Sequence, residues 1–174
     1  MERVPTMLNW ISKDMEKAIN NRKRNWQKLN INPIKEKIQN FINNLNSIED
    51  KKIVISYLKR SYILKNHKFK IAQYEDEAFL ELYPQFEYLN AQSLFEDIDD
   101  DMRKMISQLS KDNKFIQIKP SEKEEIRRYY MEWLYVESEM VFKQIILELF
   151  SNSQAPPIYF GAELGEVRRL VGDN

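Results

Sequence analysis

Ser47-Ile48-Glu49-Asp50-Lys51-Lys52-Ile53-Val54-Ile55-Ser56-Tyr57-Leu58-Lys59-Arg60-Ser61-Tyr62-Ile63-Leu64-Lys65-Asn66-His67-Lys68-Phe69-Lys70-Ile71-Ala72-Gln73 is the stretch on which the fold class turns. Ser47 and Asp50 have the spacing of an acidic capping box, in which two side chains satisfy the orphan N–H groups of a helix start. The apolar residues Ile53, Val54, Ile55, Tyr57, Leu58, Tyr62, Ile63 and Leu64 would cover most of a helix circumference. A helix that is apolar all round belongs at the centre of a fold. This reading predicts a long central helix over about 48–73.

Working outward, Thr6 can cap a first helix. Its apolar residues Leu8, Ile11, Met15, Ala18, Ile19, Trp26 and Leu29 recur at helical spacing. Asn32-Pro33 restarts a second helix carrying Ile34, Ile38, Phe41, Ile42 and Leu45. Residues 75–101 read as two short helices broken near Pro84, and Asp99 or Asp100 opens another to about Ser110. Lys114-Phe115-Ile116-Gln117-Ile118-Lys119 is the one strand candidate, either paired with a partner or simply extended before Pro120. Ser121 and Glu124 form a second capping box and open a helix over about 122–150.

That last helix carries two apolar stripes. One holds Ile126, Tyr129, Tyr130, Trp133, Met140, Val141 and Leu147, the other Met131, Tyr135, Phe142, Ile146 and Leu149. Two stripes on one helix predict burial between layers or a second stripe against another chain. The predicted fold is therefore all-α, a multi-helix bundle with two long helices (48–73 and 122–150) and at most one short strand (114–119). The helical domain covers 1–150. Ser151 to Pro157 reads as a linker, and 158–174 as a short C-terminal docking or interaction segment with a helix from Ala162 to Val171.

Composition removes several function classes. There is no cysteine, which excludes disulfides, thiolate metal sites and cysteine nucleophiles. All three glycines, Gly161, Gly165 and Gly172, lie near the C-terminal end, so the preceding residues supply neither a P-loop nor a Rossmann fingerprint. His67 is the single histidine, too few for a histidine zinc site or a di-iron bundle. The acidic run Asp97, Asp99, Asp100, Asp101 lacks the mid-loop glycine of an EF-hand and suits a helix start instead. Glu137 and Gln144 on the apolar stripe of the last helix, and Arg22 on that of the first, suit a buried or interfacial polar pair. No catalytic residue, metal site or cofactor is expected. The N-terminal residues lack a secretory signal, and no window is long and apolar enough to span a membrane, so a cytoplasmic (or nuclear) setting is expected.

Charge is strongly segregated. Residues 1–74 carry sixteen Lys or Arg against six Asp or Glu, a net of +10, and residues 75–101 carry ten acids and no base. Either the acidic segment folds against the basic one, or a basic surface meets an anionic partner. The second reading singles out Arg22, Lys23, Arg24, Trp26, Lys52, Lys59, Arg60 and Lys70 as a nucleic-acid surface, because cations beside aromatics suit phosphate contact and base stacking. Ser56-Tyr57-Leu58-Lys59-Arg60, with Lys65 and Phe69, resembles over a short span the basic helix of GINS replication subunits, which implies a replication-type assembly.

Two functions follow as expectations. One is a non-catalytic assembly protein that binds another protein chain or itself. Its interface would use Met131, Tyr135, Phe142, Ile146, Leu149, Tyr159 and Phe160. The alternative is a nucleic-acid-binding accessory protein using the basic half.

Overall fold

The computed structural model describes residues 3–45, 51–62, 65–75, 84–111, 115, 117–151, 155–163 and 165–171. The chain forms two compact units, one from Met1–Lys28 with Phe95–Glu137, the other from Leu29–Leu94 with Ser138–Asn174.

The first unit is helical: α1 (Arg3–Trp26), α3 (Ile98–Ser110) and α4 (Pro120–Glu137). On α1 the buried residues Val4, Met7, Ile11, Met15, Ile19, Arg22 and Trp26 follow the three–four spacing that places side chains on one face. Ile98, Met102, Met105 and Leu109 do the same on α3, and Ile126, Tyr130, Met131, Leu134 and Tyr135 on α4. Trp26, Phe95 and Tyr135 form an aromatic cluster, with Phe95 6.5 Å from Trp26 and 5.0 Å from Tyr135. Asp99, Asp100 and Asp101 occupy the first turn of α3, where carboxylates complement the positive end of the helix dipole. Pro120 opens α4, and the Glu122 carboxylate accepts from the Lys119 N–H at 2.7 Å, the back-reaching half of a capping box.

The second unit contains α2 (Asn32–Asn43), α5 (Glu139–Leu149) and a five-stranded sheet. The strands are β1 (Lys52–Tyr57), β2 (Lys68–Tyr74), β3 (Gln85–Asn90), β4 (Ile158–Ala162) and β5 (Val167–Val171), in the order β3-β2-β1-β4-β5. β1 and β4 are parallel and every other pair is antiparallel. Cross-strand partners share a face, so Ile53 and Ile55, Phe69 and Ile71, Leu89, Ile158 and Phe160 lie together and are buried. Phe142 of α5 packs on them, 4.6 Å from Phe69 and 5.5 Å from Phe160 between ring centroids. α2 lies on the same side. Its Lys37 reaches Glu87 of β3, and its Lys35 pairs with Glu148 of α5 at 2.7 Å.

The expected all-α helical bundle is thus overturned by a mixed α/β fold. The central helix over 48–73 does not form: its described residues are β1, a 3-10 turn (Lys59–Tyr62) and β2. The physical reason lies in the side chains. Ile53-Val54-Ile55 is a β-branched run, which favours pleated backbone. Lys68-Phe69-Lys70-Ile71 alternates with period two. The likeness to a basic helix fails with it, since those residues belong to strands and a turn. Ser47 and Asp50 of the expected capping box lie outside the described residues.

The strand expected at 114–119 does not form among its described residues. Phe115 is buried instead, 6.3 Å from the ring of Trp10. The helix expected over 122–150 is two helices, α4 and α5, interrupted at Ser138. The helix expected from Ala162 to Val171 is replaced by β5 and the end of β4, with the connecting residues Gly165 and Glu166 between them. Among the described residues no helix is long and apolar enough to cross a membrane.

Candidate nucleic-acid interface

The strand registers define a second sheet face, opposite α2 and α5. One row across it runs Arg169 (β5), Tyr159 (β4), Val54 (β1), Ala72 (β2) and Phe86 (β3). The next holds Gly161, Ser56, Lys70 and Tyr88. Lys52 sits opposite Tyr74, and Lys68 opposite Asn90.

The middle of this face is made of small residues. Val54, Ser56, Ala72 and Gly161 are buried, while larger side chains stand around them. On β3, Phe86 is 46% and Tyr88 45% exposed, with ring centroids 5.4 Å apart at 70°. Tyr74, Tyr159, Lys52, Lys68 and Lys70 are half-buried, and Arg169 is exposed. The Lys70 ammonium lies 4.9 Å from the Phe86 ring centre, a cation–π distance, and 3.8 Å from the Glu163 carboxylate. Four cations and four aromatic rings therefore share one face.

Of the basic residues expected to bind nucleic acid, Lys52 and Lys70 are on this face. Lys59 is exposed on the 3-10 turn after β1, and the side chain of Arg60 lies outside the described residues. Arg22, Lys23, Arg24 and Trp26 belong to the first unit. Trp26 is buried there, Lys23 pairs with Glu137, and Arg24 is exposed near the end of α1.

Arg22 is buried and committed to structure. Its guanidinium donates to the Asp101 carboxylate at 2.5 Å and to the Glu96 carbonyl oxygen, while its Nε has no hydrogen-bond partner among the described residues. The Tyr130 hydroxyl donates to the same Asp101 oxygen at 2.8 Å. Burial, then the charge of Asp101, raises the Tyr130 phenol above its ordinary range.

The expected protein-interface residues Met131, Tyr135, Phe142, Ile146 and Phe160 are buried in the fold, and Leu149 and Tyr159 are half-buried. The apolar stripe that α4 does expose is a different one. Tyr129 (41% exposed), Trp133 (43%) and Val136 follow one another at helical spacing, with the first two rings 6.1 Å apart.

Sequence reading missed Lys68, Tyr74, Phe86, Tyr88 and Arg169. The available signal was period-two alternation: Phe86 and Tyr88 flank Glu87, and Lys68 and Lys70 flank Phe69. Among the described residues no group of three or more His, Asp or Glu is placed to hold a metal ion. A cleft of about 390 Å³ in the first unit is lined by Asp14, Lys17, Asn21, Asp101, Lys104 and Gln108, with charges of both signs.

No protein-family model matches this chain, and no curated protein or solved structure is significantly similar to it.

Proposed function

We propose that this chain is a nucleic-acid-binding accessory protein and that its contact surface is the sheet face opposite α2 and α5. The observation that supports this reading is the interleaving of Lys52, Lys68, Lys70 and Arg169 with Phe86, Tyr88 and Tyr159 on that face. Cations satisfy phosphates and release condensed counterions, while aromatic rings offer area to the faces of bases.

The test is fluorescence anisotropy of labelled oligonucleotides. If all four cations meet phosphates, affinity for a single strand falls roughly fifty-fold between about 50 and 200 mM salt. The combined change Lys52→Ala, Lys70→Ala and Arg169→Ala flattens that dependence. Unchanged affinity and slope in the triple variant would exclude this face.

A second reading, an assembly protein binding another chain, draws on the exposed Tyr129–Trp133–Val136 stripe of α4. Aromatic side chains are favoured anchors of protein interfaces. Sedimentation of the wild type and of Trp133→Glu over a range of concentrations tests its self-associating form. A monomer at every concentration, in both proteins, argues against that form.

A further inference from the structure

The two aromatic walls of the sheet face stand on strands that are not neighbours. Tyr159 is on β4 and Phe86 on β3, with β1 and β2 between them, yet both fall in one cross-strand row. Three inter-strand spacings of about 4.8 Å separate them by roughly 14 Å. The residues between, Val54 and Ala72, are small and buried, so the row offers side-chain surface to a ligand only towards its ends.

Resting on the reading above, we propose that the ligand of this face is an unpaired strand lying across the β-strands, with one base stacked on Tyr159 and another on Phe86. A duplex cannot make these contacts, because its bases are stacked on each other, and unstacking one costs a few kcal/mol. The footprint follows from the same spacing. At the roughly 3.4 Å rise of a stacked strand, 14 Å is about four steps, and a more extended strand covers it in fewer. The site therefore takes about three to five nucleotides. Cations stand at both ends of this path: Arg169 is one strand beyond Tyr159, on β5, and Lys70 is set against Phe86. Phosphates at the two ends of the stacked segment meet positive charge. Stacking tolerates every base, so the site discriminates by strandedness and length more than by sequence.

The experiment titrates the full chain into labelled homopolymeric single strands of two to ten nucleotides, a duplex of matched length, and poly-glutamate. Phe86→Leu and Phe86→Tyr are measured beside the wild type. Phe86 is nearly half exposed, and thermal unfolding checks that each variant remains folded. The expected result is affinity that rises steeply up to about three to five nucleotides and far more slowly beyond, with duplex bound much more weakly. Phe86→Leu then loses roughly five- to a hundred-fold, and Phe86→Tyr restores binding because a ring is kept.

Equal affinity for duplex and single strand, with no effect of Phe86→Leu, overturns the stacking path while leaving nucleic-acid binding in place. Binding of poly-glutamate as tight as that of any oligonucleotide overturns both in favour of an acidic protein partner. Absence of binding to every probe at low salt overturns the proposed function itself.

Discussion

At the scale of the residue, two polar contacts govern distinct properties. The first is the Arg22–Asp101–Tyr130 network. A buried charge held by several hydrogen bonds is costly to strip of any one of them. Tyr130→Phe removes the hydroxyl donor to a carboxylate and is expected to cost about 1.5–3 kcal/mol near neutral pH. The pH dependence has a definite sign. The folded Tyr130 phenol is raised above its ordinary value near 10 by burial and by Asp101. Above that value the unfolded chain releases the proton while the folded chain retains it. The unfolded state then binds fewer protons, so stability falls as pH rises. Urea unfolding just below and well above pH ~10 should show a smaller loss in Tyr130→Phe than in the wild type. Equal losses would mean that Tyr130 titrates alike in both states.

The second contact is Lys70 with Glu163, at 3.8 Å. A carboxylate at the edge of a cationic face competes with phosphate for that lysine. Glu163→Gln should tighten single-strand binding and steepen its salt dependence by about 0.7 in log–log slope, the contribution of one released counterion. Thermal unfolding of the same variant checks that it remains folded. An unaltered slope in the anisotropy titration would show that Lys70 does not meet a phosphate.

At the scale of the element, the segment 51–75 explains both what was legible and what was not. A short apolar run such as Ile53-Val54-Ile55 satisfies a buried helix and a buried strand alike, and periodicity alone cannot separate them. β1 is buried on both faces, so it lacks the alternation that marks a half-buried strand. The better evidence was local: β-branched residues in β1 and the alternating lysines of β2. The helices of the first unit were legible because their apolar spacing is clean, from Met7 to Trp26 on α1 and from Ile98 to Leu109 on α3. Ser138 was not legible as an interruption, being neither proline nor glycine. It is fully buried, and its carbonyl accepts from Val141 N–H at 3.0 Å.

The hairpin of β4 and β5 depends on one glycine. A Cβ added at Gly161 would lie 2.1 Å from the Glu166 carbonyl oxygen and 2.8 Å from the Val167 Cα. Backbone atoms cannot yield as a flexible side chain does. Gly161→Ala should therefore cost about 1–3 kcal/mol through overpacking, read from the urea midpoint. A variant as stable as the wild type would show that the hairpin tolerates a wider separation.

At the scale of the whole molecule, the segregated charges have divided fates. Part of the acidic segment pairs within the units: Asp101 with Arg22, Asp99 with Arg127, Glu87 with Lys37, and Glu75 with Lys51. That is the neutralising use of charge visible in the sequence. The candidate site was only half legible, because it is a property of strand pairing. Lys52 and Lys70 were identifiable as cations. Their meeting with Phe86, Tyr88 and Tyr159 required the order β3-β2-β1-β4, which joins residues far apart in the chain.

The most direct measurement is a backbone amide chemical-shift titration with a short unpaired oligonucleotide. The largest shifts are expected on β1, β2, β3 and β4, around Val54, Lys70, Phe86 and Tyr159, with α4 unmoved at Tyr129 and Trp133. Shifts confined to α1 near Arg24 or to α4, or no shifts at low salt, would contradict it.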